Sequence, residues 1–222
     1  MKSLSILIPI YNEEESLQAL FDELKFSFEN NQSIEIIFIN DGSSDMSQKV
    51  IENEIANHST WKLINLYRNY GKSVALQSGI DIASNELIAT LDGDLQDDPK
   101  ELISLVRELN EDDVIVGWKK DRLDPLEKKI ASKIFNFFIK LFSGLKIKDS
   151  NSGIKVLKKE VAKSLNLYGG RHRYIPLLAH QKGFNVKEIP VNHRERKFGK
   201  SKYGAERYKN GFFDFITILF LG

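Results

Sequence analysis

The sequence predicts an α/β fold in which helices flank a mostly parallel sheet. Apolar runs of strand length occur at 4–10, 34–40, 61–66, 87–91 and 114–116. Stretches of helical character alternate with them, near 13–30, 45–57, 72–84 and 99–110. This alternation is typical of βαβ units, whose crossover helices cover both faces of a sheet. With 222 residues and 41% hydrophobic content, the chain can bury one sizeable core, so we expect one large domain with a C-terminal extension.

The polar segments that follow the strands are the expected location of function, because ligands of such sheets bind beyond the carboxyl ends of the strands. Three of these segments are distinctive: 9–13, 40–45 and 92–99. The third contains four aspartates, and only Gly93 separates Asp92 from Asp94. The repulsion between these two carboxylates must be relieved by solvent, a basic neighbour or a divalent cation.

A Mg²⁺ or Mn²⁺ ion held by one or two carboxylates and by substrate phosphates fits segment 92–99 best. The alternative is a solvated turn in which Pro99 opens the next helix. The chain has no G-x-G-x-x-G dinucleotide motif, no phosphate loop of the G-x-x-x-x-G-K-[ST] type, no serine elbow and no zinc pattern. A metal and phosphate site without a phosphate loop suggests that the metal neutralises a nucleotide diphosphate leaving group.

Beyond residue 117 the pattern is less regular. The segment 128–145 is amphipathic, and its apolar face favours packing on the core over contact with a membrane. We expect short strands at 153–157 and 185–190, a helix at 174–181 and a long basic loop at 193–204. The apolar segment 211–222 is either an interfacial helix or a helix packed on the core.

Charge is unevenly distributed along a chain whose formal net charge is only +1. Residues 86–113 carry ten acidic and two basic side chains, whereas residues 182–210 carry nine basic and three acidic ones. This asymmetry suggests one pole for a metal and another for an anion. Zero cysteines exclude a disulfide scaffold, and the N-terminus runs into a strand rather than a signal peptide, so we expect a reducing, cytosolic compartment. No run of about 18 apolar residues is present that would span a bilayer unaided.

Seven segments in order resemble family 2 glycosyltransferases of the GT-A fold, which is Rossmann-like, and most of all their dolichol-phosphate mannosyltransferase branch. They are 5–14, 39–45, 68–72, 91–99, 149–155, 172–176 and 191–204. The resemblance implies a GT-A catalytic domain at 1–204, with a nucleotide-sugar half at 1–117 and an acceptor half at 118–204. It leaves 205–222 as a C-terminal amphipathic, interfacial helix.

The resemblance also assigns a nucleotide pocket. In that assignment Asp41 accepts a hydrogen bond from a ring N–H of the base, which suits an ionised carboxylate because it can only accept. An Asx-type cap over the following two residues is the alternative for Asp41. The other implied donor contacts are Pro9, Tyr11, Glu13, Arg68 and Lys72, of which the last two face the diphosphate or the base, or are solvated cations at a helix start.

The metal and the chemistry are assigned to the acidic segment. By resemblance Asp92 and Asp94 hold the metal and the diphosphate, and Gln96 contacts the sugar or the metal. The metal serves as a Lewis acid, and transfer inverts the anomeric carbon in one displacement. Asp149 is the candidate base for a hydroxyl acceptor, whereas toward a lipid phosphate, which is already ionised, it positions more than it deprotonates. Asp97 and Asp98 are expected to be solvated acids at the start of the next helix.

The basic residues point to a phosphate-bearing acceptor. The resemblance implies that this acceptor is a polyprenyl phosphate such as dolichyl or undecaprenyl phosphate. The candidate contacts are His172, Arg173, Arg194, Arg196, Lys200 and Lys202. A basic loop attracted to anionic headgroups is the compatible alternative, since such an enzyme docks on the cytoplasmic face of a membrane. Nucleic acid is a poor partner because the acidic segment repels it and no aromatic platform accompanies the charges. A saccharide or lipid hydroxyl acceptor, a non-catalytic nucleotide-sugar binding module and a homo-oligomer remain open alternatives.

Overall fold

A computed structural model of the chain describes residues 2–28, 31–119, 141, 143–192, 194–195 and 217–218. Within these ranges seven strands form one sheet: β1 Leu4–Ile10, β2 Ile34–Asn40, β3 Trp61–Asn65, β4 Leu87–Thr90, β5 Val114–Lys119, β6 Lys155–Lys158 and β7 Val186–Val191. The helices are α1 Glu14–Phe28, α2 Ser47–Ile55, α3 Lys72–Ile82, α4 Glu101–Glu108, α5 Lys159–Ser164 and α6 Ile175–Gln181, and a 3₁₀ turn at Arg171–Tyr174 leads into α6.

The strand order is β3-β2-β1-β4-β6-β5-β7, and every neighbouring pair is parallel except those that involve β6. In the centre of the sheet Ile6 of β1 lies between Ile36 of β2 and Ala89 of β4. The predicted mostly parallel α/β sheet is therefore confirmed. The antiparallel insertion of β6 between β4 and β5 places the segment before β6 beside the acidic loop that follows β4.

Two apolar layers enclose the sheet. On one face α1 and α4 pack against alternate residues of β1, including Ile6 and Ile8. On the other face α3, α5 and α6 pack against Leu7 and its neighbours. Burial on both faces explains why the strands are continuous apolar runs rather than alternating patterns.

The element boundaries follow the expected ones within a few residues, apart from β5. This strand continues three residues beyond the predicted 114–116, because Trp118 and Lys119 pair with Pro190 and Val191 of β7. Most of the expected helix at 128–145, of the basic loop at 193–204 and of the terminal segment at 205–222 lies outside the described residues. In the part of the chain that the structure describes, no helix is long and apolar enough to cross a membrane.

A buried carboxylate, that of Glu35, lies at the amino ends of the strands, opposite the expected site. Glu35 accepts hydrogen bonds from Ser5 Oγ at 2.5 Å, from Ser84 Oγ at 2.9 Å and from Lys62 Nζ at 2.5 Å. Burial raises the pKa of Glu35, but these donors outweigh it and hold the pKa below its ordinary value. This carboxylate joins β1, β2, β3 and the end of α3.

Candidate active site

Hydrogen bonds join the three polar segments at the carboxyl ends of β1, β2 and β4. The Asn12 N–H donates to Ser43 Oγ at 3.0 Å, and the Glu13 N–H donates to Ser47 Oγ at 2.9 Å. Ser16 Oγ donates to the carbonyl oxygen of Gly93 at 3.2 Å. The adjacency of β2, β1 and β4 thus brings the three predicted segments together along one edge of the sheet.

Asp41 anchors the loop between β3 and α3. Its buried carboxylate accepts the N–H of Tyr70 at 2.8 Å and the N–H of Gly71 at 2.9 Å. Burial raises the pKa of Asp41, and the two N–H donors oppose that rise. These donors come from a different loop than the one expected for an Asx-type cap. The assigned contact between Asp41 and a base stays a prediction.

Gly42 permits this loop to approach. Its φ is +67°, and a Cβ at this position would lie 2.3 Å from the carbonyl carbon of Arg68. Only glycine combines that backbone angle with that contact. The approach places the guanidinium of Arg68 5.0 Å from the ring centroid of Tyr70, with both side chains exposed beside the Asp41 loop.

Asp92 and Asp94 lie where β4 ends. The ammonium of Lys72, the first residue of α3, contacts Asp92 Oδ1, and the Asp92 side chain is 31% exposed. Burial raises the pKa of Asp92, but the positive charges of Lys72, Lys119 and Lys155 hold it well below its ordinary value. Asp94 is half-buried, and its Oδ1 accepts the N–H of Gln96 at 3.2 Å.

Asp97 does not lie in solvent, so that expectation is wrong. Its carboxylate is 1% exposed and lies 2.8 Å from Lys119 Nζ. Leu95, with a φ of +61°, turns the loop so that Asp97 points under it toward the end of β5. Asp98 is also engaged rather than solvated, because it pairs with Arg194.

Gly153 packs against two carboxylates of the site. A Cβ at this position would lie 2.7 Å from Asp92 Oδ2 and 2.8 Å from Asp97 Oδ2. The glycine before β6 therefore lets two carboxylates pack directly against the backbone of the neighbouring strand. The carbonyl oxygen of Gly153 also accepts a 2.6 Å hydrogen bond from Thr90 Oγ1, which fixes the distance between β4 and this segment.

Two buried lysines, Lys119 and Lys155, are site residues that the sequence reasoning missed. Lys155 donates to the carbonyl oxygen of Ser152, and burial together with the charge of Lys72 lowers its pKa to about 8. Burial lowers the pKa of Lys119, but the neighbouring carboxylate of Asp97 outweighs burial, so that the pKa of Lys119 is raised. Both lysines lie at strand ends, next to apolar residues. A lysine in an apolar run of strand length is the feature of the sequence that could have identified both residues.

Asp149 is buried close to these lysines, whose pKa values its charge raises. Its N–H donates to Glu188 Oε1 at 2.7 Å, and the N–H of Lys148 donates to Glu188 Oε2 at 2.7 Å. Burial raises the pKa of Glu188. The structure thus brings Asp149 into the cluster that surrounds Asp92, while its role as a base or a positioning group stays a prediction.

His172 belongs to the same cluster. Its Nδ1 lies 2.9 Å from Ser73 Oγ, and its backbone N–H donates to the same oxygen at 3.0 Å. Burial, followed by the charges of Lys72 and Arg173, lowers the pKa of His172 well below its ordinary value. His172 is therefore a neutral imidazole at pH 7, and the predicted contact with an acceptor phosphate would be a hydrogen bond without a formal charge.

Arg194 lies on the other side of the acidic loop. Its guanidinium pairs with Glu23 of α1 at 2.6 Å and with Asp98. Its N–H donates to the carbonyl oxygen of Gln96 at 3.0 Å. Arg196, Lys200 and Lys202 lie outside the described residues, so the predicted acceptor set is described only at His172, Arg173 and Arg194.

The residues present fit a divalent cation that is shared with a substrate. Among the described residues, no group of three or more histidine, cysteine, aspartate or glutamate side chains could hold a metal alone. Asp92 and Asp94 supply two partly accessible carboxylates at one loop. Mg²⁺ and similar ions accept that arrangement when phosphate oxygens and water complete the coordination.

Solved structures share this fold. A mannosyltransferase from Pyrobaculum calidifontis in complex with GDP-Man and Mn²⁺ has a TM-score of 0.72 at 16% identity, over 97% of this chain and 64% of that one. Glucosyl-3-phosphoglycerate synthase from Mycobacterium tuberculosis in complex with UDP has a TM-score of 0.74 at 15% identity, over 98% of this chain and 79% of that one. Both are GT-A glycosyltransferases, so the predicted GT-A fold is confirmed.

Curated relatives are more similar in sequence. The dodecaprenyl-phosphate galacturonate synthase of Rhizobium johnstonii is 35% identical over 224 residues, which cover 98% of this chain and 66% of the relative. The undecaprenyl-phosphate 4-deoxy-4-formamido-L-arabinose transferase of Yersinia pestis is 37% identical, over 99% of this chain and 68% of the relative. This chain spans about two thirds of the length of these relatives.

The family model described as glycosyl transferase family 2 matches residues 5–165, which include the loops that carry Asp41, Asp92, Asp94 and Asp149. The chain therefore belongs to glycosyl transferase family 2, the family that its motifs predict.

Proposed function

We propose that this chain is a metal-dependent, inverting glycosyltransferase that moves a hexose from a UDP- or GDP-sugar to a polyprenyl phosphate at the cytoplasmic face of a membrane. The observation that carries the proposal is the convergence of Asp92, Asp94 and Lys72 at the end of β4, beside the loop that Asp41 anchors. The names of the two curated relatives support the choice of acceptor.

The donor binds along the edge formed by β2, β1 and β4. Pro9, Tyr11 and Glu13 line the nucleotide pocket, and Asp41 positions the base and the loop that carries Arg68. Asp92 and Asp94 hold the divalent ion together with the diphosphate, with Gln96 beside them. When bound, the ion supplies Lewis-acid stabilisation of the charge on the departing nucleoside diphosphate. The ammonium of Lys72 lies close enough to Asp92 to add a second positive charge there.

The acceptor approaches from the side of β6 and α6. Because the second pKa of a phosphate monoester is about 6, its oxygen is already a nucleophile at pH 7. Asp149 then orients the acceptor rather than deprotonating it. His172, Arg173 and Arg194, with Arg196, Lys200 and Lys202, supply the phosphate contacts. In the C-terminal segment 205–222, Ile218 is buried with residues of α6 in the second apolar layer, and we place the rest of the segment toward the membrane surface.

The test is transfer of radiolabelled sugar into an organic-extractable product when undecaprenyl or dolichyl phosphate is supplied. Asp94→Ala should lower kcat at least about a hundredfold, the usual size of the loss when a group that stabilises transition-state charge is removed. Asp81→Ala, an exposed acid on α3, is the matched control. Full activity of Asp94→Ala would contradict the metal role.

The same experiment tests the hydroxyl acceptor, which the burial of Asp149 next to the acidic loop also suits. In that case label appears in a product without a phosphodiester, Asp149→Asn abolishes transfer, and the Arg194→Ala/Arg196→Ala double variant is as active as the wild type. Tight donor binding without turnover on any acceptor would instead favour a binding module. A thermal-shift screen of UDP- and GDP-sugars with Mn²⁺ identifies the donor, because ligands of the folded state raise its apparent stability.

A further inference from the structure

The ammonium of Lys72 lies against a carboxylate that the proposed function gives to a divalent ion. It contacts Asp92 Oδ1, and the two side chains are 21% and 31% exposed. Asp92 is thus neutralised by the chain itself in the donor-free protein. A divalent ion that approaches this carboxylate must displace the ammonium of Lys72 or share the carboxylate with it.

Lys155 and the neutral imidazole of His172 lie near the position that Lys72 occupies. Lys155, held by the carbonyl oxygen of Ser152, is close enough for the charge of Lys72 to lower its pKa. The charge of Lys72 also lowers the pKa of His172, which is fixed by Ser73 in the first turn of α3. Lys72 is therefore attracted by one carboxylate and repelled from the side of β6 and the 3₁₀ turn before α6. A diphosphate that contacts Lys72 would lie near Lys155 as well, whose charge is partly offset by Asp92, Asp97 and Asp149.

The geometry of Lys72 allows it to change partners. It is the first residue of α3 and follows Gly71, so its flexible four-carbon stem extends from a helix end at the edge of the site. A rotamer change moves its ammonium without moving the backbone. Lys119 has no such freedom, because it is buried on its strand against Asp97.

We propose that Lys72 is an internal cation that exchanges partners: its ammonium holds Asp92 until the donor arrives, then binds the diphosphate while the divalent ion takes Asp92. This inference rests on the proposed function. It implies that Lys72 weakens metal binding in the absence of donor and strengthens nucleotide binding. Metal and nucleoside diphosphate therefore bind cooperatively, and because the coupling is reciprocal, each raises the affinity for the other by the same factor.

The test measures Mn²⁺ and UDP or GDP binding, with no transfer required. Free Mn²⁺ is followed by electron paramagnetic resonance, and nucleotide binding by calorimetry, for the wild type, Lys72→Met and the exposed α2 control Lys49→Met. Lys72→Met should bind Mn²⁺ alone about fivefold or more tightly than the wild type, and should bind the nucleotide alone more weakly. The coupling factor between Mn²⁺ and nucleotide should fall. Lys72→Arg should retain most of the coupling.

An unchanged or weaker Mn²⁺ affinity in Lys72→Met overturns the inference, and so does a failure of both proteins to bind Mn²⁺ alone. Thermal unfolding and a second neutral variant, Lys72→Gln, separate these results from a folding defect. Failure of the proposed function has a different signature, because Lys72→Met then shows the affinity gain for Mn²⁺ while the wild type transfers no sugar to any acceptor. If the wild type transfers sugar but Lys72→Met binds Mn²⁺ no more tightly than the wild type, the proposed function is supported and the exchange of partners by Lys72 is refuted.

Discussion

The ammonium of Lys119 lies 2.8 Å from a carboxylate oxygen of Asp97, and the two side chains are only 11% and 1% exposed. The pair ties the end of β5 to the underside of the acidic loop. Gly153 lies against the same carboxylate from the neighbouring segment. The loop that carries Asp92 and Asp94 therefore rests on a buried ion pair as well as on the apolar packing of Leu91 and Leu95.

Removing one partner of this pair should destabilise the protein strongly. Lys119→Met leaves the Asp97 carboxylate buried without its counter-ion, which costs about 3–5 kcal/mol. Asp97→Asn in the Lys119→Met background removes the unpaired charge, so the double variant should recover a large part of the loss. Urea unfolding of the two single variants and the double variant measures the coupling. Additive effects would contradict a direct charge interaction.

Gly93, between the two site aspartates, is packed against Ile10. A Cβ at position 93 would lie 2.5 Å from Ile10 Cδ1. The space that a methyl group at position 93 would need is filled by the side chain of Ile10. Gly93→Ala should therefore cost about 1–3 kcal/mol through overpacking.

The compensating variant is Ile10→Val, which removes the clashing Cδ1 and alone costs about 0.5–1.5 kcal/mol. The Gly93→Ala/Ile10→Val protein should be more stable than the sum of the single changes predicts, and it should keep its Mn²⁺ affinity. A thermal-unfolding cycle measures the coupling. A double variant as unstable as that sum predicts would show that the strain lies in the backbone of the loop instead.

Glu35 should make stability depend on pH in the acid range. Its folded-state pKa lies below the ordinary value of 4.5, despite burial, because Lys62, Ser5 and Ser84 donate to it. The unfolded state thus binds more protons than the folded state below about pH 5, and stability falls as pH decreases through the folded pKa. Above pH 5 the contribution is fully present.

Glu35→Gln should lower the unfolding free energy at pH 7 by about 1–3 kcal/mol, since charge-assisted hydrogen bonds are lost. Its stability should also fall less steeply between pH 5 and pH 3 than that of the wild type. Denaturant unfolding across this range measures both effects, with Glu52→Gln on the exposed face of α2 as the control. If the stability of Glu35→Gln and of the wild type falls equally steeply between pH 5 and pH 3, another carboxylate dominates the acid response.

The strands, the polar segments that follow them and the closeness of Asp92 to Asp94 can be predicted from the sequence. Apolar runs mark the strands, and the carboxyl ends of parallel strands lie at one edge of the sheet. The surroundings of Asp97 cannot be predicted in this way. The left-handed φ of Leu95 reverses the loop, and nothing in the local pattern marks a leucine for that conformation. The partners Lys119 and Lys155 depend on the insertion of β6 between β4 and β5, a topological fact that a linear pattern does not contain.

Arg194 could serve the acceptor in two ways: as a direct phosphate contact, or as a residue that holds the basic segment in place. Its guanidinium is already engaged by Glu23 and Asp98, and its backbone is bonded to Gln96. A residue so engaged fixes where the basic segment that follows it begins, next to the acidic loop. Arg194→Ala should therefore raise the KM for the polyprenyl phosphate about tenfold with little change in kcat, the pattern of lost ground-state binding.

The double variant Glu23→Gln/Asp98→Asn decides how Arg194 acts. If Arg194 acts by holding the segment, freeing its guanidinium should raise the acceptor KM in the same direction as Arg194→Ala, and Arg194→Lys should rescue only in part because lysine cannot bridge two carboxylates with a planar fork. If the acids instead restrain a phosphate ligand, the double variant should lower the KM. Arg107→Ala on the exposed face of α4 controls for a general loss of positive charge. We expect the KM to rise, because Asp98 belongs to the acidic loop and Glu23 to α1, so that removing both carboxylate charges releases Arg194 from the loop.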